Sequence, residues 1–399
     1  METRLPGPLR DSPPGREAEA ILRRCVHCGF CLATCPTYRE TGDELDSPRG
    51  RIYLIKRYLE TGRAGEETRR HLDRCLACRA CETTCPSGVA YHRLLEIGRS
   101  RLRARLPAPP GERLLRWLLL RLVPRRRPFA AAVALGRLLR PLLPAPLARH
   151  VPRRRPGRRP RTARRPRHLV LFQGCVEPSV MGAARSAVHG LLDRLGYEAR
   201  ALAGETCCGA LEHHLDAPAR ARRRARRNLA LWRRALDGGA EAVVFLSSAC
   251  LLEAREYPDL LAGDPDALET ARQVLPAVRG LDEWLLARAA ALPAATRPRR
   301  VAWHPPCTLQ HGLKGAEAVP ELLRRAGHTV LLPADAQLCC GAAGAYSLFQ
   351  PGLSGRLRRR KLSALAALEP ECIASANVGC LLHLAAATDL PVLHWAELL

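Results

Sequence analysis

Two runs of cysteine carry the first chemistry in this chain. Cys25, Cys28, Cys31 and Cys35 stand at offsets of three, three and four, and Pro36 closes the run. Cys75, Cys78, Cys81 and Cys85 repeat that spacing, and Pro86 closes it again. Thiolates are soft anionic donors, and three chemistries use them in clusters: a disulfide framework, a zinc site, or an electron-carrying iron–sulfur group. The start, METRLPGPLRDSPPGREAEA, has no apolar signal-peptide core and no cleavage site. A reducing compartment is therefore expected, where clustered cysteines mean metal or redox chemistry.

The spacing C-x2-C-x2-C-x3-C-P, met twice, selects among the three. It is the run by which bacterial ferredoxins hold four-iron clusters: three cysteines wrap one cluster, and the fourth, followed by proline, serves the other. The pattern assigns Cys25, Cys28, Cys31 and Cys85 to one [4Fe-4S] cluster, and Cys75, Cys78, Cys81 and Cys35 to a second. Two clusters in one small module would pass single electrons between a donor and an acceptor.

Further cysteines fall into a repeat. Cys175, the pair Cys207 and Cys208, and Cys250 form one set; Cys307, the pair Cys339 and Cys340, and Cys380 form another. The step from lone cysteine to pair is 32 residues in both copies, from 175 to 207 and from 307 to 339. A duplicated unit explains this. HLVLFQGC, AEAVVFLSSAC, RVAWHPPC and ECIASANVGC read as buried strands running into Cys175, Cys250, Cys307 and Cys380. Ligands of open α/β sheets bind at that carboxyl rim, so each set is expected to converge there as a further cluster or acceptor site, the alternative being structural thiols. Gly209 and Gly341, one after each pair, permit a tight turn. Cys372 stands outside the repeat and reads as an ordinary core residue, and His214, His304 and His311 as hydrogen-bonded structural groups, the alternative being a ligand or proton-donor role beside the cysteines.

The elements that must position these residues follow from pattern and composition. At 399 residues with 47% hydrophobic residues, several domains can each bury a core. The expected fold class is α+β multidomain. Residues 1–20 read as a flexible lead and 21–100 as the small α-helical two-cluster domain. Within it, SPRGRIYLIKRYLETG is a helix entered at Ser47-Pro48, with Ile52, Leu54, Ile55, Tyr58 and Leu59 on its apolar side. Residues 101–167 are basic, proline-broken amphipathic helices ending in a Pro/Arg tether, expected to be a spacer or to meet a membrane surface or acidic partner. Residues 168–290 and 298–399 are the two α/β copies. The net charge of +26 favours anionic partners. Aromatics at 4% and the lack of a reader fold exclude nucleic acid. No apolar stretch is long enough to span a bilayer.

CVHCGFCLATCPTY, SPRGRIYLIK, HLDRCLACRACETTCPSGVAYH, CCGALEHH, PCTLQH, LCCGAAGAY and ANVGCLLHL together resemble the iron–sulfur subunits of bacterial glycolate oxidase, over nearly the whole chain. The broader kin are iron–sulfur subunits of lactate utilisation, of anaerobic glycerol-3-phosphate dehydrogenase and of heterodisulfide reductase, which remain the alternatives. The resemblance implies two [4Fe-4S] clusters and two CCG cysteine-rich domains. It implies flavin-binding partner subunits that oxidise glycolate to glyoxylate, with electrons passed onward to quinone. It implies a cytoplasmic chain, with contact at the inner face of the cell membrane as a further expectation. No G-x-G-x-x-G follows a strand here, so the chain alone should not oxidise glycolate. In heterodisulfide reductase relatives the CCG unit ends in C-x-x-C. Here Ser247 and Asn377 replace the first of those cysteines, which puts the relatives' cluster arrangement in doubt. A non-redox, metal-stabilised scaffold is the remaining alternative of another class.

Overall fold

The computed structural model describes residues 1–155, 157 and 165–399. It divides into two compact units, Met1–Leu114 with Gln337–Lys361, and Leu115–Ala336 with Leu362–Leu399.

The first unit is helical. Residues 1–20, expected as a flexible lead, are instead packed. Gly7–Arg10 and most of Pro13–Arg24 lie in this stretch as helices. Leu5, Leu9, Ala18, Ile21 and Leu22 are buried in the same apolar cluster as Ile55 and Leu94. Ser12 caps the second of these helices, its hydroxyl accepting from the Gly15 amide at 3.2 Å. Pattern reading missed this because four prolines and seven charged residues mask a short apolar stripe.

Helix Pro48–Thr61 starts where expected, at a Ser47 cap with proline in the first turn, and ends at Gly62 with φ of 67°. Ile52, Ile55, Tyr58 and Leu59 face the core and Leu54 is half-buried, but Arg51 is buried too. Helix Tyr91–Arg105 packs against it closely: a Cβ at Gly98 would lie 2.9 Å from Ile55 Cγ1.

The second unit holds two four-stranded parallel sheets. The first contains β1 (Arg167–Leu171), β2 (Tyr197–Arg200), β3 (Val243–Phe245) and β4 (Val278–Gly280), in the order β2-β1-β3-β4. The second contains β5 (Arg300–Trp303), β6 (Thr329–Leu331), β7 (Cys372–Ser375) and β8 (Val392–His394), in the order β6-β5-β7-β8. The duplication is thus complete in topology. The sheets share one apolar core that includes Leu171, Val244, Trp303 and Ala374. Backbone and side chain also link them: Ser248 N donates to Ala376 O at 3.0 Å, and His394 Nε2 to Leu246 O at 3.0 Å.

In each sheet the chain goes out to one side of its first strand and returns to the other. The rim between β1 and β3, and that between β5 and β7, is therefore a topological switch point, where ligands bind. The lone cysteines follow these strands but do not lie on them. Cys250 and Cys380 sit in the first turns of helices Ser248–Arg255 and Val378–Ala385. The extended reading of AEAVVFLSSAC and ECIASANVGC was therefore too long. Cys372 is fully buried within β7. The short strands β2, β4, β6 and β8 offer too few residues for a period to show.

Between 101 and 167, helices Pro110–Leu122, Arg126–Leu139 and Ala145–Ala148 are separated by prolines. The tether at 156 and 158–164 lies outside the described residues.

Candidate metal centres

The two N-terminal cysteine loops share one backbone form. Left-handed residues fall two and four places after the first cysteine of each run: His27 (φ 56°) and Gly29 (φ 87°), then Ala77 (φ 52°) and Arg79 (φ 63°). Left-handed non-glycine residues each cost on the order of 1–3 kcal/mol and persist where a ligand clamp requires them. Alternation of this kind turns successive amides inward as a concavity for an anionic group. Ala77 N already donates to Cys75 Sγ at 3.4 Å.

Cys25, Cys28, Cys31 and Cys85 line one pocket, together with Phe30, Pro86 and Cys81 of the second run. Burial pushes the Cys25 thiol up, and the Cys85 and Cys28 charges add to this. Burial pushes Cys31 to about 11. Cys81 is raised by burial and then by its neighbours Cys78, Cys75 and Cys35. Cys85 thus shares the pocket of Cys25, Cys28 and Cys31, and the charge of Cys35 bears on Cys81. Bare, these thiols are crowded and desolvated. Soft metal ions bind thiolates and reverse that preference. Four soft donors around an amide-lined loop fit an iron–sulfur group.

A buried polar network stands behind Cys35. Arg51 Nε donates to His71 O at 2.7 Å, and Nη1 donates to Thr37 Oγ1 at 3.1 Å and approaches Cys35 Sγ at 4.0 Å. Arg51 Nη2 meets Asp46 Oδ1 at 3.3 Å, and that carboxylate also takes His71 Nδ1 at 2.9 Å and Arg74 Nη1 at 2.9 Å. Tyr91 donates to Cys75 Sγ at 3.6 Å. A fixed cation and a hydroxyl beside the sulfurs tune whatever those sulfurs hold. Sequence reading placed Arg51 only as part of a helix.

In the second unit the first cysteine-rich copy brings all four of its thiols together. Cys175 and Cys207 Sγ are 3.2 Å apart, Cys207 is hydrogen-bonded to Cys208, and Cys208 to Cys250. Cys207 is held well below the ordinary thiol range by its bonds from Cys175 and Cys208 and by the Gly209 amide, while Cys208 is raised. Gly209 takes φ of 100°, the left-handed turn its position suggested. Two residues that sequence reading missed clamp the pair: Asn228 Nδ2 donates to Cys207 O at 3.0 Å and Tyr257 to Cys208 O at 2.7 Å.

Polar atoms beside this set are orphaned. Both carboxylate oxygens of Glu177 and the Ser247 hydroxyl are buried without a hydrogen-bond partner among the described residues. Arg185 comes no nearer to Glu177 than 4.0 Å. Burial raises Glu177 to about 8. Glu205 is better served, accepting from Gln173 N at 2.9 Å and Trp232 Nε1 at 3.0 Å. Orphaned buried groups around four thiols fit a bound metal group there as well.

In the second copy, Cys307 begins the π-helical turn Thr308–Gly312, and Cys380 is buried in its helix. Asn377, in place of a cysteine, caps that helix, its Oδ1 accepting from Gly379 N at 2.8 Å. Cys339 and Cys340 are buried in the other compact unit, with Gly341 at φ of 93°. His304 and His311 are buried and His214 is exposed.

Fold and sites together define a two-cluster ferredoxin-type module joined to a duplicated cysteine-rich α/β unit. Residues 21–89 match the family described as 4Fe-4S dicluster domain, and residues 169–254 and 301–385 each match the Cysteine-rich domain. The glycolate oxidase iron-sulfur subunit of Escherichia coli (strain K12) is 42% identical over 100% of this chain and 98% of its own. The probable glycolate oxidase iron-sulfur subunit of Bacillus subtilis (strain 168) is 29% identical over 92% and 89%. A crystal structure of a hypothetical protein from Helicobacter pylori shares the fold, with a TM-score of 0.58 and 13% identity over 98% of this chain and 72% of that one. The chain belongs to the family of glycolate oxidase iron–sulfur subunits and is an iron–sulfur electron-transfer protein.

Two predictions follow from the buried charges. Arg51→Met leaves Asp46 short of a partner at a fully buried site, so chemical denaturation should show a loss of about 3–5 kcal/mol. Arg51→Lys should not restore it, because a point ammonium cannot replace the guanidinium fork. For Glu177, the folded value of about 8 lies above the unfolded range, so its contribution is full below about pH 4.5 and lost as pH rises through 8. Against Glu177→Gln, the wild type should lose stability across that window by several kcal/mol, on the order of 5, and no more above it. Parallel stability–pH curves for the two proteins would remove the buried charge from the account.

Proposed function

We propose that this chain is the electron-transfer subunit of a complex that oxidises glycolate to glyoxylate. Flavin-binding partner subunits take the electrons from the substrate, and this chain carries them toward quinone. Cys25, Cys28, Cys31 and Cys85 hold one [4Fe-4S] cluster, and Cys75, Cys78, Cys81 and Cys35 the other. The observation that carries this reading is that Cys85 lines the pocket of Cys25, Cys28 and Cys31 while Cys35 bears on Cys81, in two loops whose left-handed residues fall at matching places. A four-iron cluster, when bound, supplies a one-electron couple. The protein's part is to present thiolates, exclude water and set the surrounding charge. Arg51 and Tyr91 do this for the second cluster, whereas Cys28 leaves the first exposed to solvent. The four converging thiols of the first cysteine-rich copy, with Glu177 and Ser247, support a further metal group at that rim.

The test is iron and acid-labile sulfide per chain, with EPR of the reduced protein, after anaerobic purification. Cys85→Ala should remove the signal that Cys28→Ala removes, and Cys35→Ala the one that Cys78→Ala removes. Loss of the signals in the uncrossed pairing would overturn the ligand sets. About eight irons would confine metal to the ferredoxin module, and about twelve would add a cysteine-rich copy.

A second part of the proposal concerns where the complex works. No helix among the described residues is long and apolar enough to cross a membrane. Helices Pro110–Leu122 and Arg126–Leu139 nevertheless bury only Val133 between them, while Trp117 is 50% exposed, Leu138 74%, and nearby Leu142 81%. From Arg113 to Arg149 there are many arginines and no Asp or Glu. Exposed Leu and Trp among arginines suit the face of an anionic bilayer, next to a lipid-soluble acceptor. The chain should sediment with phosphatidylglycerol vesicles and be released by salt. Leu138→Glu with Leu142→Glu should weaken binding at least tenfold, and unchanged sedimentation would exclude this face.

A further inference from the structure

Gln337–Lys361 belongs by sequence to the second cysteine-rich copy but packs in the compact unit of the ferredoxin module. Three contacts seat it. The Tyr346 hydroxyl donates to Arg74 O at 3.1 Å, directly before Cys75. Arg356 Nε and Arg360 Nη1 pair with Glu40 at 3.5 and 3.6 Å, just beyond Cys35. Cys75 and Cys35 are the two arms of the second ligand set, so the segment straps one cluster site and not the other. Tyr346 is buried in this seat. Its hydroxyl is raised by burial first and then by Cys75, with Cys339 adding to the effect, so the ring lies within electrostatic reach of both thiols.

The strap also fixes the cysteine pair. Gly341 N donates to Cys339 Sγ at 3.4 Å, and Ser354 Oγ donates to Gly341 O at 2.8 Å. A Cβ at Gly341 would lie 2.8 Å from Ser354 O, so the turn admits no side chain. The first copy is built differently. Its pair is clamped by Asn228 and Tyr257, and the position matching Tyr346, seven places after the first cysteine, is the exposed His214. The two copies have kept one topology and diverged at this residue.

We propose that the strap makes the second cluster the junction with the strap's own cysteine pair, Cys339 and Cys340, with Tyr346 as the positioning residue. This rests on the ligand sets proposed above. Were the second cluster bound and a metal group held by the Cys339 and Cys340 thiolates, the step between them would be the transfer of one electron, with no bond made or broken and no proton moved. Tyr346 holds the Cys75 loop and the Cys339 loop at a set distance, and its hydroxyl, bound to the Arg74 carbonyl, keeps water from that gap.

The experiment is an EPR-monitored reductive titration of the anaerobically purified full chain with dithionite. Cys28→Ala and Cys78→Ala first assign each signal to its cluster. Tyr346→Phe and Cys339→Ser should retain both signals and change the reduction equilibrium of the second cluster threefold to tenfold, tenfold being about 59 mV for one electron. The first cluster should not move. Arg356→Gln with Arg360→Gln, both at the surface, should loosen the strap and shift the same signal should Tyr346→Phe fail to fold. A shift confined to the first cluster, or no shift in any variant, overturns the junction. Wild-type protein without two four-iron signals overturns the ligand sets themselves, a separate and earlier failure.

Discussion

The guanidinium of Arg51 ties together the pieces on which the ferredoxin module depends. It is 1% exposed, yet it reaches Thr37 and Cys35 from the first cysteine run, Asp46 from the connecting turn, and the His71 carbonyl just before the second run. Burying a charge is costly unless it is paired and hydrogen-bonded, so these partners must be in place together. Their assembly holds Cys35 near the second run, where its charge bears on Cys81. The apolar contacts of Ile55, Leu94 and Leu95 add stability, but they are not directional. The polar network supplies the direction, and it does so next to sulfur, where a cation also bears on redox poise.

The cysteine-rich half solves a related problem with another scaffold. Two parallel sheets share a core, and in each the lone cysteines follow the two strands that flank the point where strand order reverses. In the first copy four thiols converge within one compact unit, and Glu177 and Ser247 stand by them unsatisfied. In the second copy the pair lies on the segment Gln337–Lys361, which packs with the ferredoxin unit. Duplication thus produced two rims of one design, and later changes at single positions, His214 against Tyr346 among them, gave them different surroundings.

Much of this was legible before any coordinates. The ferredoxin-type loops, the duplication, the start of the helix at Ser47 and the left-handed glycines after each pair follow from local rules, and the structure has them. The lead at 1–20 was misread because its prolines signal a loop while Leu5, Leu9 and Ala18 form a stripe too sparse to register. Cys250 and Cys380 were assigned to strands because SSAC and NVGC continue an apolar run. In the fold, the backbone turns into a helix at Ser247 and Asn377, and at the second the Asn377 side chain caps it. The strands β2, β4, β6 and β8 are edge-length pieces whose existence depends on a neighbour to pair with.

The sequence by itself determined the chemistry, because a cluster loop is a local object. Ligand spacing, closing proline and turn glycine lie within a dozen residues of one another and need no distant partner to be recognised. What only the tertiary structure decided is the environment of those ligands. Arg51 beside Cys35, Tyr257 on the Cys208 carbonyl and Tyr346 on the Cys75 loop are contacts between segments that are distant or unmarked in sequence, and the burial of Glu177 with no hydrogen bond among the described residues is equally unmarked there. Nothing in an arginine, a tyrosine or a glutamate says where it will be buried. Burial and charge, set by packing, decide what a given set of thiolates can do.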